Sequence, residues 1–500
     1  MKRLKNNVTL LNVFSSLLLQ FVTIISGFII PKIILTTFGS EVNGLISSLN
    51  QFLNYISIFE GGLGGVVLAN LYKPLYNNDN KKISSVMKTT KQFYQKLAIF
   101  FVIYTLILSL VYPIITNTSF SYVYIFILTL ILSITLFIQY NFSLSYRLLL
   151  QADKKVYIVS FTQILLTILN VIVFVIVSKF YQNIHVLKLV SAAVFLLQPI
   201  IFNYFVKKYY KIDKNAKGDS NLLKSRWDGF AINIAAFIHN NTDITILTLF
   251  TNLKIVSVYA VYSLVTTGLK KLIQSASSAI SPTIGHLYAK GDKDELNQKF
   301  EIYEYIIFVI TFFLFTVGGL LITPFVLIYT KHVTDINYNQ VLFGILLVIS
   351  ELLYCIREPY VTLAYSAIKF KDIKRPAYIE AILNVTVSLI LVRKFGLIGV
   401  AIGTSLAMLY RTMFHVFYLK KHIINRKPSL FINKFLVFTV TSIIGICICT
   451  LLFQIKIYTL FSFTIHGIIY SIIIGILYLI VSYIFYKNNL KNIKLILKKG

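Results

Sequence analysis

Charge is scarce in this chain of 500 residues, and acidic charge is scarcest: 18 Asp and Glu stand against 48 Lys and Arg. Charged residues make up 13%, about half of what soluble domains carry. Cysteine is nearly absent. Cys355, Cys447 and Cys449 all lie inside apolar runs, an odd set with no disulfide framework and no metal-ligand spacing. No Gly-rich turn followed by Lys is present to cradle nucleotide phosphates, so ATP hydrolysis by this chain is not expected. No Ser/His/Asp or Cys/His arrangement is recognisable by spacing. The chain is therefore read as a non-enzyme with no catalytic residue, cofactor or metal.

Apolar residues fill the space. They make up 57% of the chain, and the mean hydropathy is +0.76. Spans of about 20 apolar residues mark membrane helices. The pattern predicts an all-α polytopic membrane protein of about fourteen transmembrane helices. Eight fall near residues 9–38, 43–70, 95–116, 121–147, 156–178, 184–206, 227–250 and 255–283. Six more follow near 302–329, 339–366, 376–392, 397–419, 433–454 and 458–486. The first, after the basic start MKRLKNN, is too long for a signal segment and is read as a retained span. A membrane barrel would need alternating segments of about ten residues, and none is seen.

The excess of positive charge has a pattern. Lysines and arginines gather in every second loop, as in KPLYNNDNKK, QADKK, AKGDKDELNQK, KFKDIKR and KKHIINRK, and in the tail. The alternate loops, FGSEVN, NTSFSY and QIKIYT, hold few. That asymmetry predicts both termini in the cytoplasm. It also accounts for the charge through attraction to anionic membrane lipids, leaving no reason to invoke nucleic acid.

A weak repeat divides the chain near Arg226. ILTTFGS leads through a helix to NLYKPLYNNDNKKI, and later ILTLFTN leads to HLYAKGDKDELNQK. ADKKVYIVSFTQILLTILNV likewise matches KDIKRPAYIEAILNV. The expected domains are residues 1–226 (spans 1–6 and a basic linker), 227–426 (spans 7–12) and 427–500 (two further spans and a basic tail). Even span numbers make the two six-helix lobes a parallel repeat.

ISIFEGGLGGVVLANLYKPLYNNDNKKI, NNTDITIL and IEAILNVTVSLILVRKFGLIGVAIGTSLAMLYR resemble segments of the Wzx-type oligosaccharide flippases. Those belong to a superfamily with the MATE exporters and the lipid II flippases. The resemblance covers almost the whole chain, the last two spans least. It implies two lobes around a polar central cavity and a bacterial cytoplasmic membrane location. The implied substrate is an undecaprenyl-diphosphate-linked oligosaccharide, with a polysaccharide polymerase and glycosyltransferases as candidate partners. A lipid II flippase and a MATE-like cation-coupled antiporter are the alternatives. The antiporters typically carry an acid in the first span, where this chain has only Lys32. A sugar polymerase or ligase would be expected to carry a large outer loop, and the outer loops here are short.

Candidate site residues are the ionisable and amide groups inside the spans, the ionisable ones costing about 2.5–3.5 kcal/mol each on insertion scales. The tenth span, VISELLYCIREPYVTLAY, carries Glu351, Arg357 and Glu358, and Pro359 predicts a bend. These residues either line the cavity or close internal salt bridges. Asp243 and Asn240 in the seventh span, Lys270 in the eighth and Arg411 in the twelfth complete the proposed cavity set. Arg411 is set either to line the cavity or to neutralise Glu380 or Glu358. Asp243, Glu351 and Glu358 are candidates for proton or sodium coupling. Lys32 and Glu60 match family-like positions but could snorkel or pair locally. His415 and His466 read as helix-contact donors. GGLGG at 61–65 and GVAIG at 399–403 offer small faces for close helix contact.

Overall fold

The computed structural model describes residues 2–213, 215–219, 237, 241–367, 370–424, 426–452 and 459–491. Every regular element among them is helical. The chain divides into two compact units, one of residues Met1–Phe237 with Asn252–Ser257, the other of Ile238–Thr251 with Val258–Gly500.

The first unit opens with α1 (Lys2–Leu53), which covers the first expected span and runs on into the beginning of the second. Its one break is Gly39 (φ 82°, ψ 179°), a conformation that excludes other residues. FGSEVN is thus a one-residue interruption rather than a loop. A 3-10 turn, Asn54–Ile56, and the short α2 (Ser57–Glu60) follow. Gly61 and Gly62 then stop the helix, Gly62 at φ +83°. GGLGG was expected to supply a packing face. Its first two glycines break the span instead, and α3 (Leu63–Tyr76) starts afresh.

α4 (Asn80–Ile115) is capped by Asp79, whose carboxylate accepts from the Lys82 amide. α5 (Tyr122–Ile138) runs through a π turn, Gln139–Ser143, into α6 (Leu144–Ala152). α7 (Val156–Phe180) packs on α1; α8 (Ile184–Phe195) and α9 (Leu197–Tyr209) complete the unit. α4 explains its own environment. Leu97, Phe101, Leu108 and Tyr112 are buried, while Phe100, Ile103, Ile107, Leu110 and Ile114 on the other side are exposed. A helix apolar all round with one face bare is built for lipid.

The second unit begins, within the described residues, with α10 over 241–250. Expected-span residues 227–236 and 238–240, including the candidate Asn240, lie outside the described residues. α11 (Leu253–Lys290) and α12 (Lys293–Tyr329) follow. The tenth expected span is two helices, α13 (Val341–Ile356) and α14 (Glu358–Ser366). Pro359 has no N–H for the Cys355 carbonyl, and the Arg357 amide turns to that carbonyl instead. The bend therefore falls at Arg357.

α15 (Phe370–Phe395) and α16 (Leu397–His422) pack closely, and α17 (Pro428–Leu452) and α18 (Leu460–Phe485) close the unit against α12. GVAIG does act as a small face. A Cβ on Gly399 would fall 2.6 Å from the Leu391 backbone, and one on Gly403 would fall 3.0 Å from the Ser388 amide nitrogen. Among the described residues ten helices are long and apolar enough to cross a membrane. The protein is a polytopic all-α membrane protein. The count of fourteen is approximate, because α1 runs from the first span into the second, α10 is described only from 241, and the second and tenth spans are broken.

Candidate functional site

The second unit gathers most of the buried charge. Glu351, one turn before the end of α13, accepts from Lys270 Nζ of α11 at 2.9 Å. Tyr354 lies beside this pair. Lys270 Nζ sits 4.9 Å from its ring centroid, and the Arg357 guanidinium sits 4.9 Å from the same centroid. Gln274 donates to the Tyr354 hydroxyl at 3.3 Å. Arg357, 8% exposed, approaches Glu380 of α15, its Nη1 lying 3.5 Å from Oε1. Arg411 of α16 donates to the other oxygen, Oε2, at 3.0 Å. Arg357 Nη1 makes an ion contact there but no hydrogen bond, and among the described residues that nitrogen has no hydrogen-bond partner.

Of the two carboxylates considered for Arg411, the one it contacts is Glu380. Two guanidiniums share one buried carboxylate, and Glu358 also lies within reach of Arg357, so Lys270, Arg357 and Arg411 face Glu351, Glu358 and Glu380. The bend ends α13 one residue before Arg357 and places Arg357 at the junction with α14. Glu358, next along, is half-buried. Glu351 Oε2 lacks a hydrogen-bond partner among the described residues.

Asp243 is held apart from the cations. Its Oδ2 accepts from the Tyr259 hydroxyl and from Thr404 Oγ1, both at 2.9 Å, and Asn384 Nδ2 approaches Oδ1 at 3.5 Å. The Ser388 and Thr404 hydroxyl oxygens lie 3.1 and 3.3 Å from Asn384 Oδ1, with the Val400 carbonyl as an alternative acceptor for each. α10, α11, α15 and α16 all contribute. The set is entirely oxygen apart from one amide nitrogen, which a rotation of the Asn384 side chain would exchange for oxygen. One carboxylate among neutral oxygens suits a monovalent hard cation. Among the described residues no group of three or more His, Cys, Asp or Glu is placed to hold a metal.

Sequence reasoning missed a second carboxylate. Glu304 of α12 is fully buried, accepts from Arg426 Nη2 and Lys434 Nζ at 2.5 Å each, and is also hydrogen-bonded by Tyr360. Arg426 lies in the α16–α17 connection and reads as a loop charge, and Lys434 lies in the second turn of α17, at the start of an expected span. Their burial (8% and 3% exposed) shows that they turn inward to join four elements of the unit.

In the first unit Glu60 accepts from Tyr94 at 3.1 Å and from Tyr140, in the π turn, at 3.4 Å. Glu41 caps the loop before α5, accepting from Thr118 Oγ1, the Ser119 amide and Ser119 Oγ at 3.2, 2.9 and 2.8 Å. Lys32 is half-buried in mid-helix. His415 and His466 each bond through Nδ1 to the carbonyl four residues earlier in their own helix, at 2.9 and 2.7 Å.

No family model matches the chain, and no curated protein matches it. Solved structures do. A lipid II flippase MurJ in an inward closed conformation superposes with a TM-score of 0.72 at 18% identity, covering 96% of this chain and 99% of that one. An inward-facing multidrug resistance MATE family transporter of the MOP superfamily gives 0.61 at 15%, covering 81% and 96%. The MATE multidrug transporter DinF-BH gives 0.60 at 15%, covering 84% and 96%. The fold is shared with these proteins. At such identities the likeness fixes architecture, and function must come from the residues.

Proposed function

We propose that this protein is a flippase for an undecaprenyl-diphosphate-linked oligosaccharide in a bacterial cytoplasmic membrane, serving synthesis of a capsule, exopolysaccharide or other surface glycan. The observation that carries the reading is Arg357. It is a buried guanidinium in a bundle of lipid-facing helices, it shares its carboxylate with Arg411, and its Nη1 makes no hydrogen bond among the described residues. Lys270 lies against the same tyrosine ring. A lipid tail crosses hydrocarbon freely; a diphosphate needs fixed cations to replace its water. No covalent step is required. Alternating access then returns the emptied site, and the oxygen cluster at Asp243 supplies a place for a coupling cation.

The experiment is reconstitution. Proteoliposomes with a labelled undecaprenyl-diphosphate oligosaccharide on one leaflet should show protein-dependent transfer, lost with Arg357→Ala. Transfer no faster than in empty vesicles would remove the reading.

Transport of lipid II is the second reading, favoured by the near-complete overlap with the MurJ structure, 96% of this chain against 81% for the inward-facing MATE transporter. It shares the carrier diphosphate and differs in glycan. Labelled lipid II in the same vesicles separates the two.

A further inference from the structure

The segment after α9 does not hang free. Tyr210 donates to Asp153 at 2.5 Å, the Asp213 amide donates to Ser84 Oγ at 2.9 Å, and the Asp219 amide donates to Thr89 Oγ1 at 2.7 Å. Residues 210–213 and 215–219 are thus strapped along the first turns of α4. Gly218 permits the closest approach, since a Cβ there would fall 3.0 Å from Thr89 Oγ1. Beneath the strap lies a cavity of about 690 Å³.

Its walls are basic. Lys88 and Lys91 come from α4, Lys207 from the last turn of α9, and Lys211 from the strap. Lys88 and Lys91 are three apart and so share one helix face. Among the described lining residues Asp213 is the one carboxylate, and its Oδ1 already accepts from the Asn215 amide at 2.8 Å. The other acids nearby are also engaged. Asp219 faces Lys82 at 3.7 Å, and Asp153 is bonded by Lys155 and Tyr210. These four lysines line one concavity from three segments, Lys88 with a further contact of its own and Lys91, Lys207 and Lys211 exposed.

We propose that this cavity binds a phosphate group, and that its ligand bridges α4, α9 and the strap. Convergent ammoniums recognise phosphate as point charges without demanding one geometry. Basic pockets between membrane helices are where anionic headgroups settle. A phospholipid of the surrounding leaflet and a soluble pyrophosphate-bearing molecule offer the same chemistry. The proposal does not depend on the flippase reading.

The test uses the full-length protein purified in neutral detergent and followed by native mass spectrometry. The variants are Lys88→Gln/Lys91→Gln and, from the opposite wall, Lys207→Gln/Lys211→Gln. Lys420→Gln/Lys421→Gln is the control of equal charge loss outside the cavity. Phosphatidylglycerol, phosphatidylcholine and inorganic pyrophosphate are the probes. Wild type and control should bind phosphatidylglycerol, but not phosphatidylcholine, as a single saturable adduct. Each cavity pair should weaken it roughly 25-fold, about fivefold per lysine near an anionic surface. The same dependence for pyrophosphate, without lipid, would assign the cavity to a soluble ligand. If both cavity pairs bind the probes as the control does, or if neither probe binds wild type saturably, the proposal fails.

Discussion

Arg357 and Arg411 divide one carboxylate, Arg357 facing Glu380 Oε1 at 3.5 Å and Arg411 hydrogen-bonded to Oε2 at 3.0 Å. The two contacts are not equivalent, and the difference separates a structural role from a functional one. Removing Arg357 leaves Glu380 paired with Arg411. Removing Glu380 leaves two buried guanidiniums facing each other.

Arg357→Ala should therefore insert and accumulate normally while abolishing transport, and Arg357→Lys should retain part of it, because an ammonium cannot reproduce the planar donor set. Glu380→Gln should cost on the order of 3–5 kcal/mol and lower the amount of folded protein. Membrane abundance by immunoblot beside glycan export decides the matter. Normal export by Arg357→Ala at normal abundance would show that the residue contacts no substrate.

Gly403→Ala tests whether the α15–α16 seam is as tight as its geometry. The new Cβ would meet the Ser388 side chain and lie 3.0 and 3.1 Å from backbone atoms of Ser388 and Asn384. Overpacking of this kind typically costs about 1–3 kcal/mol. Thermal unfolding in detergent should shift downward for Gly403→Ala and stay put for Gly268→Ala, where nothing lies within 4 Å. Equal behaviour of the two would mean that the helices yield easily.

Much of the fold was legible, because lipid demands long apolar helices and the loops between them are polar. The breaks inside helices were harder. Pro359 announced its bend chemically, whereas Gly39 interrupts α1 for a single residue and GGLGG reads equally as a packing face or a stop. The site was legible as a set of residue types rather than as pairs. Glu351 and Arg357 stand out as charges in hydrocarbon, but their partners Lys270 and Glu380 lie 81 and 23 positions away, respectively, on other helices. Glu304 escaped because it sits at the edge of an apolar run beside Glu301, its partner Arg426 looks like a loop charge, and its partner Lys434 looks like the basic end of a span. A rule that counts loop cations cannot see one that turns inward.

Sidedness follows from the alternation of basic loops and can be read by cysteine labelling with an impermeant thiol reagent on intact cells. Asn117 and Thr334, both exposed and in lysine-poor connections, should label from outside. Asn215 and Asn488, exposed at the opposite, basic connections, should label only after lysis. Labelling of Asn215 in intact cells would invert the assigned topology.

The last prediction concerns Asp243 and what drives transport. Asp243, Asn384, Thr404, Ser388 and Tyr259 form an oxygen-rich cluster with one formal charge, away from the arginines. If a sodium ion binds there, transfer in proteoliposomes should accelerate with an inward sodium gradient, and Asp243→Asn should lose that response. Thr404→Val removes one oxygen at nearly constant volume. It should raise the sodium concentration for half-maximal transfer about tenfold, the equivalent of about 1.4 kcal/mol. If protons drive transport instead, wild type should follow a pH gradient and ignore sodium, with Asp243→Asn again inert to the gradient and Thr404→Val close to wild type. Both outcomes assign the coupling to Asp243 and differ in the ion. Transfer by wild type that is indifferent to both gradients would remove Asp243 from the drive altogether and leave a passive flippase drawn forward by consumption of its product.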